Sequence, residues 1–527
     1  MNLSRLGSLG LTLGWSLSST WAADTTLKLT LQRRDARTGG PLISQEEVPA
    51  NRLGIVVIDL WNYHWCKTSA ARVAALVPRM NRCLQVARDL GIQVFLCPTD
   101  VADNYVGTPQ VESVIALQRV PIPKREEIQC PAAPDGGGCT CGRERCQVNY
   151  GWDGMHPDLI IGEKDLIPND PELFYAICQQ RGITHLLYLG VHTQVCLLGK
   201  SVGVRRMLQA GMRCMLARDL TDAHGLYDPV KGITPDDFTT NVVAHFERYL
   251  MPTLNLVETW QAMGRWDRAW VVDPVRVAPW GTWARPHLFE SPLTVTLTAP
   301  WEPNAAIHYT LDGSAPTPQS LRYTGPLVLE KTTRLRVAAF EQEREVCLQS
   351  DTYFARLEPK PPMPDVHLSS LKPVRAVGYG HSPSFNDHRF SPRVNPPQPD
   401  LTNEKKPLRL RGTKYDKGIG VFAPNQLLYE LKPEYDRFVA LAGVDEHILD
   451  VNNGSNLAMH PSVIFRVFID GEMIAQSPVM RISEEPWRFD VRIPPRHRLI
   501  SLVAMAGGNG NKEDLANWVN CGFTTRR

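Results

Sequence analysis

The 527-residue sequence has almost no surplus charge: 57 Lys and Arg stand against 55 Asp and Glu, a formal net charge of +2. That balance gives no electrostatic reason to expect a nucleic-acid or membrane-surface partner. After the first two dozen residues no apolar run reaches the roughly 20 residues that a spanning helix needs, so no membrane span is expected. The first half also shows no outstanding pair of carboxylates of the kind that acid–base cleavage of a glycosidic bond requires.

What is present points to several domains, because the length exceeds what one hydrophobic core usually organises. Residues 1–23 have the form of a secretory signal peptide, with Arg5, a short apolar run over 6–17, and small residues at Ala22 and Ala23. The expected location is therefore exported, periplasmic or extracellular. The 12 cysteines fit an oxidising compartment. Four of them, Cys130, Cys139, Cys141 and Cys146, fall in an aperiodic stretch rich in Gly and Pro. Disulfides stapling a surface loop are the favoured reading. A four-thiolate zinc site is the alternative, although the spacing C-x8-C-x-C-x4-C is not that of a standard zinc knuckle.

Over 50–255, strand and helix signals alternate. Strands are expected at 53–60, 92–97, 159–161, 186–189 and 212–217. Helices are expected over 73–87, with Pro78 as a kink or restart, and over 171–180, 194–210 and 236–250. This order predicts a doubly wound parallel α/β sheet, whose ligands bind beyond the carboxyl ends of the strands. Residues 256–285, with their scattered tryptophans, read as a packed connector. Residues 286–357 carry short alternating strands with a turn at Asp312-Gly313. Residues 358–364 form a proline-rich linker, and 365–527 are again strand-like. The expected fold is multidomain: an α/β hydrolase domain followed by two all-β sandwiches.

Three candidate chemical residues fall at the carboxyl edge of the expected sheet: Asp59, Lys164 and Cys196. In Gly190-Val191-His192-Thr193-Gln194-Val195-Cys196 a strand ends at a glycine and a helix begins at a cysteine. The free N–H groups of a helix start stabilise a thiolate and cradle an oxyanion. Asp59 would act as base for the thiol, and Lys164 would steady the charges. Each residue also has an ordinary structural explanation; the ordered set carries the argument.

Ile58-Asp59-Leu60-Trp61-Asn62, then Lys164, then Gly190 to Cys196 resemble the motifs of the isochorismatase-like cysteine hydrolases, over about residues 50–250. The resemblance implies an Asp-Lys-Cys triad with Asp59 as general base, Lys164 as electrostatic partner and Cys196 as nucleophile. It also implies an oxyanion hole from the backbone N–H groups of Val195 and Cys196, a thioester intermediate, and a small amide or ureide substrate. A cis peptide is implied just before Val191. Trp61 stands where the family usually has glutamine, and Gln194 where it often has aspartate. The metal-binding members carry histidines after the second strand, and Pro98 to Tyr105 has none, so no catalytic metal and no cofactor are expected. Trp61, Asn62, Trp152 and His192 are candidate pocket residues, with Tyr63, Trp65, His156 and His224 as further candidates.

Tyr309-Thr310-Leu311-Asp312-Gly313-Ser314-Ala315-Pro316-Thr317 resembles the C-terminal sandwich of chitobiase-type glycosidases, which implies a spacer. Lys417-Gly418-Ile419-Gly420-Val421-Phe422-Ala423, with Gly443-Val444-Asp445 and Asn517-Trp518, resembles the NPCBM module. That module implies binding of a carbohydrate or glycan, with no contacting residue identified. The combined expectation is an exported cysteine hydrolase targeted to glycan; the alternative is a carbohydrate-binding scaffold with an inactive hydrolase-like domain.

Overall fold

The computed structural model describes residues 25–123, 129–135, 138–142, 146, 152, 154–168, 170–378, 396–451, 461–511 and 513–526. The expected signal peptide lies outside the described residues. Strands predominate over helices among the described residues.

The first unit is one seven-stranded sheet. Its strands are β1 (Thr26–Arg34), β2 (Pro41–Pro49), β3 (Leu53–Ile58), β4 (Gln93–Cys97), β5 (His185–Val191), β6 (Arg213–Asp222) and β7 (Thr253–Leu254), in the spatial order β2-β1-β7-β6-β5-β3-β4. Strands β3 to β7 pair in parallel, and the β1–β2 hairpin joins antiparallel at β7. The sheet therefore begins at Thr26, upstream of the boundary expected at residue 50. Strand β3 is buried at every position, as a central parallel strand covered on both faces must be.

Helices cover both faces. Helix α1 (Lys67–Asp89) and the later α7 (Leu256–Ala262) line one core with Ile55, Val57, Leu187 and Leu189. Three further helices, α3 (Pro171–Arg181), α5 (Val204–Gln209) and α6 (Pro235–Tyr249), line the other core with Val56, Ile58, Leu186 and Tyr188. Two short helices complete the set: α2 (Pro109–Ile115) and α4 (Cys196–Gly199).

Several expectations change. Helix α1 runs through Pro78 without interruption. No strand forms at 159–161. Instead, the chain at Leu166 bridges β4 in parallel, with Leu166 N–H bonded to Val94 C=O and Leu96 N–H to Leu166 C=O. The single helix expected over 194–210 is broken into α4 and α5. At Gly203, between them, a side chain would come within 2.8 Å of the Leu197 carbonyl oxygen.

Residues 256–285 are not a separate connector: α7 packs in the first core, and Arg276–Ala278 pairs with Leu293–Thr298. Two sheets then form a small β-sandwich. One carries Arg276–Ala278, Leu293–Thr298 and Leu327–Leu329. The other is centred on Ala306–Thr310, Thr333–Glu341 and Ser350–Arg356.

The last unit is a larger sandwich. Leu515–Thr525 lies between Gly418–Phe422 and Tyr435–Val444 in one sheet, and Leu499–Ala506 between Asn425–Glu430 and Ser462–Ile469 in the other. Trp518, fully buried, packs edge-on against Phe465 with ring centroids 5.0 Å apart. Asp470-Gly471 is a two-residue hairpin turn with both φ angles positive, which is why glycine follows aspartate there.

The last unit is docked on the first. The Lys67 ammonium, with no solvent exposure, lies 2.8 Å from the Glu484 carboxylate and donates to the Pro286 carbonyl at 2.5 Å. Arg411 donates to the carbonyls of Cys146 and Ser483 at 2.5 and 2.7 Å.

Candidate functional site

In the first sheet the strand order turns about β3. The chain passes from β3 to β4 on one side, and later lays β5 against the other side. A crevice at the carboxyl ends of the strands belongs at such a reversal. Asp59 follows β3 directly and Cys196 follows β5 after a short turn.

Local geometry brings these two ends together. Gly190 has φ +101, and a Cβ there would sit 1.9 Å from the Ile58 carbonyl oxygen, so the ends of β5 and β3 approach as closely as glycine alone permits. Asp59 takes the left-handed conformation, φ 50, which turns the chain out of β3. A cis peptide joins Val191 to His192, one residue later than the resemblance implies.

Asp59 is 2 % exposed. Thr99 holds both of its oxygens: the backbone N–H donates to Oδ1 at 2.6 Å and the hydroxyl to Oδ2 at 2.7 Å. The Cys196 thiol lies close enough to the same carboxyl group for each to shift the other's pKa. The cation is Lys200, whose Nζ lies 3.8 Å from Asp59 Oδ1 and donates to the Cys97 carbonyl at 2.7 Å. Burial raises the Asp59 pKa above 3.8, while Lys200, Thr99 and the thiol oppose that rise. Burial, then the charge of Asp59 and the hydrogen bond to it, push the Cys196 thiol up to about 12. Cys196 therefore rests as a neutral thiol beside Asp59, with the Lys200 side chain on the same carboxyl group.

Lys164 does not reach this site. Its side chain is exposed, and its carbonyl accepts from Gln93 at 3.1 Å, at the start of β4. Asp59 lies beyond the other end of the sheet, since Ile58 pairs with Cys97. The five residues of β4, at about 3.3 Å each, separate the two edges. Lys200 lies downstream of the cysteine, outside the motif order that places the lysine before it. The available signal was its place four residues after Cys196, on the same face if that turn is helical.

The oxyanion-hole expectation also changes. The Val195 N–H donates to the His192 carbonyl at 3.0 Å and is already occupied by the turn. The Cys196 N–H, at the first position of α4, remains as the donor of the pair. Because α4 has only four residues, the helix contributes little field, and Lys200 is the main positive charge at the site.

Three of the four candidate pocket residues do cluster. Trp61 stacks on Trp152 with centroids 5.7 Å apart and meets the edge of His192 at 4.9 Å. Trp152 Nε1 donates to the Thr99 carbonyl at 2.8 Å, which ties the cluster to the residue that holds Asp59. His64, which the sequence reading did not include, lies between Trp61 and His224, 4.7 and 5.6 Å away. Burial, reinforced by neighbouring histidines, keeps His64 and His192 well below 6.5 and therefore neutral. Trp61 Nε1 and His192 Nε2 are buried with no hydrogen-bond partner among the described residues. Asn62 is half-buried, with its N–H bonded to the Gly154 carbonyl. Tyr63 instead joins the core of the last unit and lies under the Arg285 guanidinium, 4.2 Å from the ring centroid. His156 caps a turn, accepting from the Asp158 N–H at 3.3 Å.

No disulfide joins any of the 12 cysteines. Cys130 stands apart from Cys139, Cys141 and Cys146, whose close neighbour is Cys66.

In the last unit a buried polar group joins Asp445, His447 and Asn517. His447 Nδ1 lies 2.5 Å from Asp445 Oδ1 and its Nε2 lies 2.9 Å from Glu404; Asn517 donates to Asp445.

Comparison with known proteins assigns two regions. Residues 381–524 match the NPCBM/NEW2 domain family, and residues 286–347 match the chitobiase/beta-hexosaminidase C-terminal domain family. A protein of Renibacterium salmoninarum named "Putative endo-alpha-N-acetylgalactosaminidase" is 25% identical over 165 residues, 31% of this chain. The chain spans a tenth of that relative's length. Among solved structures, a CBM51 module from Clostridium perfringens in complex with methyl-galactose is 26% identical, covering 30% of this chain and 99% of that one, with a TM-score of 0.25. An isochorismatase from Pseudomonas putida is 13% identical, covering 40% of this chain and 90% of that one, with a TM-score of 0.24.

Proposed function

We propose that the protein is a cysteine hydrolase of small amides, ureides or related carbonyl compounds, and that its C-terminal module directs it to glycan. The observation that carries the first part is the meeting of Asp59, Cys196 and Lys200 at the point where the sheet order reverses.

In the proposed reaction, Asp59 takes the thiol proton as Cys196 Sγ attacks the carbonyl carbon. A thiol held near 12 gives little standing thiolate, so attack depends on Asp59 as the acceptor of the thiol proton. Negative charge then develops on the carbonyl oxygen, close to the Cys196 N–H and the Lys200 ammonium. Asp59 returns its proton to the leaving nitrogen as the C–N bond breaks, leaving a thioester. Water, deprotonated by Asp59, attacks the thioester and releases the acid and the free thiol. The neutral, largely aromatic wall of Trp61, Trp152 and His192 suits a planar uncharged substrate. The two unpartnered N–H or N positions on Trp61 and His192 are suited to bind its polar atoms.

The glycan part rests on the NPCBM/NEW2 match over 381–524. The buried Lys67–Glu484 pair fits a module seated on the hydrolase unit rather than trailing from it.

The test is a panel of small amides and ureides together with a glycan array, using the full chain and Cys196→Ala. Loss of hydrolysis with glycan binding retained supports both parts. Equal turnover by Cys196→Ala removes the nucleophile assignment. Glycan binding without any turnover leaves the carbohydrate-binding scaffold.

A further inference from the structure

Four cysteines that the reaction at Cys196 does not use meet inside the protein. Cys66 caps the start of α1, and Cys139, Cys141 and Cys146 come from the segment between β4 and α3. All four are buried, and their sulfurs all lie within 4.8 Å of one another. Cys146 is 3.1 Å from Cys141 and 3.5 Å from Cys139, and Cys66 is 3.9 Å from Cys141.

Two chemistries bring four thiols together. Disulfides would give separations of about 2.05 Å within each pair and longer ones between pairs. A tetrahedral zinc ion with Zn–S bonds of about 2.3 Å sets its sulfurs about 3.8 Å apart along every edge. The observed sulfurs are mutual neighbours at that scale, and none is at bonding distance. We propose that Cys66, Cys139, Cys141 and Cys146 hold one structural zinc ion.

The surroundings fit that role. The Ser69 N–H donates to Cys66 Sγ at 3.5 Å, and the Thr68 hydroxyl lies 2.9 Å from Cys141 Sγ. Donors to the sulfurs offset the negative charge of four thiolates around a divalent ion. Loading exchanges four thiol protons for four Zn–S bonds, with no electron transferred. Complete protein ligation in a buried position leaves no coordination site for substrate, so the ion is structural.

The position shows what the ion would hold. Lys67, next to Cys66, forms the buried pair with Glu484 of the last unit. The Thr68 hydroxyl also accepts from the Trp280 N–H at 2.9 Å, and the Cys146 carbonyl accepts from Arg411. The cluster thus sits where the three units meet. It also reaches the aromatic cluster, since Ser69 Oγ lies 3.1 Å from His224 Nδ1. One ion there ties Cys139, Cys141 and Cys146 to the start of α1 and secures the module's seat on the first unit. The sequence spacing concealed this because the fourth ligand, Cys66, lies far upstream, while the nearer Cys130 takes no part.

The test uses the full-length protein purified without chelator. Elemental analysis is expected to find one zinc per chain, and denaturing alkylation without reductant is expected to find all four thiols free. Cobalt added to the metal-stripped, reduced protein is expected to give the thiolate-to-cobalt and tetrahedral d–d bands of a sulfur site. The paired change Cys139→Ser with Cys141→Ser should abolish metal binding, whereas Cys130→Ser should leave it unchanged. Two disulfides in place of the four thiols, or a reduced protein that takes up neither zinc nor cobalt, overturns the proposal. So does loss of the metal in Cys130→Ser. If the paired variant does not fold, the metal content and cobalt spectrum of the unaltered protein decide. None of these readouts depends on hydrolysis at Cys196.

Discussion

Replacing Asp59 with asparagine is expected to change two properties of Cys196 in opposite directions. Asp59 keeps the thiol protonated, because after burial its charge and hydrogen bond are the next causes of the rise to about 12. A charge at this range shifts a neighbour by roughly 1–3 pH units. Asp59→Asn retains most of the shape and the burial but removes the charge. The thiol should then ionise more readily, and its alkylation by iodoacetamide at pH 8 should accelerate about 10- to 100-fold. Hydrolysis should fall at the same time by about 10²-fold or more, because no group remains to accept the proton during attack. The alkylation assay needs no substrate. Peptide-resolved mass spectrometry separates Cys196 from Cys130, the other cysteine that is not fully buried. Slower or unchanged alkylation in Asp59→Asn would refute the pairing of carboxylate and thiol.

Lys200→Met should reduce hydrolysis strongly and Lys164→Met should leave it within about twofold. At an effective dielectric constant of about 20, a unit charge about 4 Å from the developing oxyanion is worth about 4 kcal/mol, so losing Lys200 costs at most about 10³-fold in rate. Equal losses in both variants would contradict the assignment of the cation. Gly190→Ala should destabilise the first unit by about 3 kcal/mol or more, since its Cβ would meet the Ile58 carbonyl at 1.9 Å and its φ is +101; chemical denaturation measures this. Lys67→Met should cost about 3–5 kcal/mol by removing the buried ammonium that faces Glu484, and adding Glu484→Leu should restore much of the loss. For His447, burial lowers the pKa but hydrogen bonds to Asp445 and Glu404 outweigh it, so the folded value lies above 6.5. Its contribution is therefore fully present below 6.5 and is lost as pH rises through the folded value. The denaturant midpoint should fall over that window in the native protein, and less so in His447→Gln.

The sequence was most legible where the chemistry is local. Strand β3 could be read because a strand buried on both faces must be a continuous apolar run, and the run is there from Leu53 to Ile58. Gly182 ends α3 in the left-handed conformation that favours glycine, as expected. Asp59 and Cys196 were placed at strand ends by the same local logic, and the structure brings them together. The two sandwich modules carry turn and core motifs that two domain families match.

What only the tertiary structure decided concerns residues whose roles depend on distant partners. Lys200 and Lys164 are both lysines near a plausible motif. Which one reaches Asp59 depends on the edge of the sheet that each loop serves, and that follows from the pairing of β4 rather than from spacing. The break between α4 and α5 depends on close packing at Gly203, which periodicity does not show. The β1–β2 hairpin joins the sheet through β7, a strand more than 200 residues away. Cys66 meets the cluster of Cys139, Cys141 and Cys146 because α1 begins beside that loop. Short-range order follows from propensity and hydrophobic pattern, which each segment carries in itself. Long-range convergence follows from which buried surfaces fit together, and no single segment encodes that.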